Sequence, residues 1–178
     1  MLVDGVGAGD LADALVAGLA AASRPPHRVR GQDFLRPAGE RFTWGREDAA
    51  AFRTSWLDAE SLEREVLVRA ATGTYLPALW DAGHDRSARR SLEPLPPRAV
   101  LLVDGTFLLG RGLSGDVVVH LVLSQAALRR RGVPEWQLPA FAAYDAEERP
   151  ADRCDVLVRA EDPQRLAVRF RDPPLLGR

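Results

Sequence analysis

Short strand-like runs that each deliver an aspartate constrain this chain most. Leu2-Val3 stops at Asp4, a short extended run from His27 to Arg30 leads through Gln32 to Asp33, and Ala99 to Val103 stops at Asp104. Consecutive apolar positions without alternation suit strands covered on both faces, the environment of a parallel sheet. Between the first two runs Leu11, Leu15 and Leu19 recur every four residues, with Ala12 and Val16 beside them, which marks one face of a helix. Runs of this kind separated by helices predict an α/β fold with helices on both faces of the sheet. The carboxyl ends of parallel strands line the ligand crevice in such folds, so Asp4, Asp33 and Asp104 are expected on one edge. Asp-Gly and Asp-Phe are also ordinary turn residues after a strand, but the three together favour a site.

The rest of the chain fits one domain over residues 1–171. A glycine-rich turn from Gly5 to Gly9 precedes the first helix, with Asp10 as N-cap and Asp13 in the first turn, and Pro25-Pro26 ends it. Residues 35–98 form a long excursion, with helices expected over Glu47 to Trp56 and Ala59 to Ala70. Thr72 to Trp80 reads equally as a hairpin or an irregular loop, and Glu93 to Arg98 as a proline-rich connector. Val117 to Leu123 and Val156 to Val158 are further strands, separated by a short helix from Gln125 to Arg131 and a lid-like region over 125–150. The tail, 172–178, is expected to be loose.

Composition narrows the function classes. All 24 basic residues are arginine, and the chain contains no lysine, isoleucine or asparagine, which reads as the codon bias of a high-GC bacterium. A formal net charge of -1 gives no bulk attraction for nucleic acid or an acidic membrane. The single cysteine, Cys154, excludes an internal disulfide and a cysteine-rich metal site. Neither a signal peptide nor a membrane span is expected, so a cytoplasmic location follows.

Several segments together resemble the bacterial uridine-kinase branch of the P-loop kinases. LVDGVGAGDLADAL (Leu2 to Leu15) is similar to the strand–loop–helix opening of that family, and GQDFLRP (Gly31 to Pro37) to its acidic-aromatic substrate motif. AVLLVDGTFLL (Ala99 to Leu109) resembles the strand bearing its second acidic motif, with a looser likeness through Asp116–Ser124 to Asp155–Pro163. The resemblance implies a three-layer fold around a five-stranded parallel sheet, and ATP- and magnesium-dependent phosphorylation of a hydroxyl on a nucleoside or similar small molecule. By the same resemblance Asp33 handles the accepting hydroxyl and Asp104 sits near magnesium through water. Arg129, Arg130 and Arg131 belong to a phosphate lid, although a solvated helix end reads equally well. Arg36, Trp44, Tyr75 and Trp80 fall in the acceptor pocket, and Gly5, Gly7, Gly9 and Asp10 in the phosphate loop.

That loop departs from the family pattern of Gly, four residues, Gly-Lys and then Ser or Thr. Gly5-Val6-Gly7-Ala8-Gly9-Asp10-Leu11 is one residue short, lacks the lysine and has no hydroxyl after it. Each lost donor costs roughly 100- to 1,000-fold in rate, and a carboxylate at the helix N-terminus repels an incoming phosphate. Weak or absent turnover is therefore expected, with a non-catalytic small-molecule or protein-binding descendant of the fold as the alternative. His27, His84 and His120 show no metal-ligand spacing; His120 reads as a packed strand residue and Cys154 as a buried thiol.

Overall fold

Alternation along the central strand sends Leu2 into one core and Val3 into another, both without solvent exposure. The computed structural model describes residues 1–162 and 165–171. Its elements in chain order are β1 (Leu2–Asp4), α1 (Ala8–Ala21), β2 (Pro26–Arg30), α2 (Ala38–Arg41), α3 (Ala49–Thr54), α4 (Ala59–Leu62), β3 (Thr74–Tyr75), β4 (Trp80–Asp81), β5 (Arg86–Ser87), β6 (Glu93–Pro94), β7 (Val100–Gly105), β8 (Val118–Val122), α5 (Gln125–Arg130), α6 (Leu138–Glu147), α7 (Pro150–Arg153), β9 (Val156–Asp162) and β10 (Arg165–Phe170). The main sheet has the order β10-β9-β8-β1-β7-β2. Five of its strands are parallel, as expected, and β10 pairs antiparallel with β9. That sixth strand carries no buried residue, so no apolar run announces it.

Helices cover both faces. On one side α1 lies over β1, β2 and β7, and α5 adds Ala127 and Leu128 to the core of Val3, Val119 and Val158. On the other side Leu2, Val29, Leu101 and Val103 pack against Phe34 after β2, against Leu57, Leu62 and Val66 from the excursion, and against Tyr144 from α6. Within the excursion, Asp48 caps α3 by accepting from the Ala51 N–H at 2.6 Å, which starts that helix later than the apolar pattern suggests. Asp58 likewise caps α4 through the Ser61 N–H at 3.1 Å, and the helix then widens to a π-helical segment over Glu63–Val68. Thr72 to Trp80 is not a hairpin of its own. Thr74–Tyr75 pairs with the expected connector at Glu93–Pro94, and Trp80–Asp81 pairs with Arg86–Ser87.

The largest correction concerns α1. It starts at Ala8, not at Asp10, because Gly7 turns the chain in a left-handed conformation (φ 89°) straight out of β1. Asp10 is an exposed residue of the first turn, and no side chain caps the helix. No helix among the described residues is long and apolar enough to cross a membrane. The expected loose tail from Asp172 lies outside the described residues.

Asp4 joins these layers. Its carboxylate has no solvent exposure and accepts from the Leu108 N–H at 2.9 Å and the Tyr144 hydroxyl at 2.9 Å. His120 Nδ1 lies 2.7 Å from Oδ2, and since a carboxylate offers only acceptors, that nitrogen carries a proton. Tyr144 in turn accepts from the Leu109 N–H at 3.0 Å. Asp4→Ala strands these donors in the interior and should lower stability by about 2–5 kcal/mol, read as a shifted urea midpoint with unchanged slope. A loss under about 1 kcal/mol would show that the network is dispensable.

Candidate functional site

A crevice of about 610 Å³ opens at the carboxyl edge of β1, β7 and β2. One wall is the Gly5–Asp10 segment, with Arg28, Arg30 and Asp104 beside it; the other is aromatic, from Phe52, Trp56, Phe107 and Phe141. Phe52 meets Trp56 edge-on at 4.9 Å, Phe107 at 5.2 Å and Trp136 at 5.5 Å between ring centres. Phe107 holds a left-handed backbone (φ 60°), which costs a non-glycine residue about 1–3 kcal/mol. Its neighbour Leu108 is tied down by Asp4, so the buried network holds this wall in place.

The loop itself is a tight turn. The Ala8 N–H bonds back to the Gly5 carbonyl at 3.2 Å, and a Cβ on Gly5 (φ 117°) would sit 2.5 Å from the Leu121 carbonyl oxygen. A side chain at Gly7 would collide with the Arg131 guanidinium, which is anchored by a 3.0 Å bond to the Ala160 carbonyl. Arg28 reaches in from β2. Its Nε and Nη2 donate to the two Asp104 oxygens at 2.5 and 3.1 Å, Nη2 also to the Gly9 carbonyl at 3.1 Å, and Nη1 pairs with Asp13. The bond to Asp104 raises the guanidinium above the ordinary arginine value, so it stays charged.

Of the residues singled out by sequence, the structure brings Gly5, Gly7, Gly9, Asp10 and Asp104 to the crevice. Asp4, at the same edge, is consumed by the buried network. Asp33 follows β2 at that edge, half-buried but outside the crevice lining. Burial raises its carboxyl above the usual aspartate range, with Arg30 opposing the shift. The three arginines separate: Arg129 is exposed and paired with Glu135, Arg130 bonds the Glu161 carbonyl, and only Arg131 reaches the loop.

The residues implied for an acceptor pocket lie elsewhere. Trp44 is 75% exposed, and Trp80 donates Nε1–H to Asp85 at 3.1 Å. Arg36 pairs with Glu40. Tyr75 is buried between Glu93 and His27, and burial followed by the Glu93 bond pushes its phenol up to about 12. The aromatic wall comes instead from Phe52, Trp56, Phe107 and Phe141. Arg28 and Arg30 were legible only as alternate positions of one strand, which share a face.

These residues do not fit a magnesium nucleotide in the way the resemblance implies. Both Asp104 oxygens serve Arg28, and the first turn of α1, Ala8 to Leu11, offers neither a lysine nor a hydroxyl.

No protein-family model matches the chain, and no curated protein matches it. Solved structures do. One described as a "possible uridine kinase" from Bacillus stearothermophilus superposes with a TM-score of 0.70 at 19% identity, covering 88% of this chain and 84% of that one. The chain has the fold of the P-loop kinases. Phosphoribulokinase from Rhodobacter spheroides follows with a TM-score of 0.58 at 12% identity, covering 99% of this chain and 80% of that one. At these identities the likeness carries the P-loop kinase fold and not the chemistry.

The raised Asp33 carboxyl has a consequence for stability. The native state holds this proton to higher pH than the unfolded chain does, so stability falls as pH rises from the ordinary aspartate value through the raised one. Asp33→Asn should remove that decline and leave the protein slightly more stable at neutral pH, measured by thermal melts across pH 3–7. An unchanged pH profile would remove Asp33 from the perturbed groups.

Proposed function

We propose that the chain is a uridine- or nucleoside-kinase-like protein whose crevice binds a small molecule with a planar ring, while phosphoryl transfer from ATP and magnesium is weak or absent. The Arg28 clamp carries this reading. A guanidinium held by Asp104, Asp13 and the Gly9 carbonyl occupies the ground between the second acidic motif and the phosphate loop, where transfer needs a metal and mobile phosphates. Opening it would leave Asp104, only 8% exposed at its side chain, without its partner, and breaking a buried pair costs about 3–5 kcal/mol. The aromatic wall supports a ring-bearing ligand, since such rings stack edge-on or offset for about 0.5–1.5 kcal/mol per pair.

A second reading, a working kinase with arginine in place of the loop lysine, is favoured by Arg131 lying against Gly7. In that reading Asp33 accepts the proton of the nucleoside hydroxyl.

Thermal melts separate the two. A ligand at 100 times its Kd stabilises by about 2.7 kcal/mol, several degrees for a chain of this size. Uridine or another nucleoside should raise Tm and quench tryptophan fluorescence through Trp56 and Trp136, while millimolar ATP with magnesium leaves Tm nearly unchanged. A shift that saturates at micromolar ATP, together with phosphorylated nucleoside as product, would establish the second reading instead.

A further inference from the structure

Behind the crevice lies a separate pocket of about 190 Å³, between the loop that follows β7 and the end of α3. Arg53, Thr54, Phe107, Arg111, Tyr144 and Glu148 line it, and of these only Arg53 and Phe107 also face the crevice. The geometry points to a binding site for a compact oxyanion, the phosphate group of a small monoester or the free ion, with Arg111 as its principal ligand.

Arg111 is a half-buried cation without a countercharge. Its Nη2 donates to the Arg53 carbonyl, Nη1 lies 3.5 Å from the Leu57 carbonyl, and no carboxylate stands within 4 Å of it among the described residues. The acids nearby are committed elsewhere: Glu147 to Arg53 at 2.7 Å, and Glu148 to Arg153 at 3.3 Å. Burial holds the Arg111 guanidinium below the ordinary arginine value, and the like charges of Arg53 and Arg36 press the same way, against support from Tyr144 and Glu148.

A buried charge is ordinarily paired; Arg53 has Glu147 for that, whereas the side-chain bonds of Arg111 go to backbone carbonyls only, and Glu148, the one acid in the lining, pairs with Arg153. The guanidinium fork matches a phosphate bidentately. The space, about 190 Å³, takes a phosphate with a few carbons. This site does not depend on the Arg28 clamp, because Arg28 lines the crevice and not this pocket.

The test uses inorganic phosphate and glycerol 3-phosphate as probes, followed by thermal shift and calorimetry at fixed ionic strength set with chloride. The wild-type protein should show saturable stabilisation by phosphate that chloride does not reproduce, and Arg111→Gln should weaken it at least tenfold. Tighter binding of glycerol 3-phosphate would identify a monoester as the ligand, and tighter binding of phosphate the free ion. Should Arg111→Gln not fold, Arg111→Lys keeps the charge, loses the fork and should still weaken binding. No saturable effect in the wild type would overturn the assignment. So would binding that survives Arg111→Gln but is lost in Arg131→Gln, which would move the anion to the loop. Nucleoside binding in Arg111→Gln reads the crevice separately, so either idea can fail alone.

Discussion

A carboxylate sealed at the end of the central strand organises this molecule. Asp4 gathers the His120 ring from β8, the Tyr144 hydroxyl from α6 and the Leu108 amide from the segment after β7. A buried charge is tolerable only when its acceptor sites are filled, so the three donors and the acid hold one another in place. The same network bonds Leu108, next to Phe107 with its left-handed backbone, and Phe107 lines both the crevice and the smaller pocket. Packing supplies the bulk of the two cores, but the relation between sheet, loop and α6 is set by directional bonds to one residue.

Electrostatics at the mouth of the crevice follow a different rule. In a chain without lysine the permanently charged basic side chains are all guanidinium forks, and a fork binds two oxygens at once where an ammonium is a movable point charge. Arg28 accordingly ties Asp104, Asp13 and the Gly9 carbonyl into one unit. The loop beneath is closed by its own Ala8–Gly5 bond. The P-loop kinase fold thus holds, at the mouth of its crevice, an arrangement of internal ion pairs.

Much of the site was legible in part. Strand-terminal aspartates mark the correct edge, because a parallel sheet always presents its carboxyl ends together. Their individual fates were not legible: Asp4 is buried, Asp104 is clamped and Asp33 stands beside the crevice. Which partner a carboxylate finds depends on residues up to 140 positions away, as Asp4 and Tyr144 show. The aromatic wall escaped for a similar reason. Trp44 and Trp80 sit in the segments where a pocket was expected, yet the excursion folds so that Phe52 and Trp56 from α3 and its end turn inward, while Trp44 faces solvent.

The sequence by itself determined the parallel sheet, its two-sided burial, the α1 segment and the absence of a lysine-bearing loop, since each rests on local periodicity or on residue types that no tertiary contact can change. Only the tertiary structure decided where α1 begins, that Arg28 bonds both oxygens of Asp104, that Arg131 alone of its triplet reaches the loop, and that Arg111 has no carboxylate bonded to it. Those outcomes depend on which side chains meet across the sheet, and long-range pairing leaves no periodic trace along the chain.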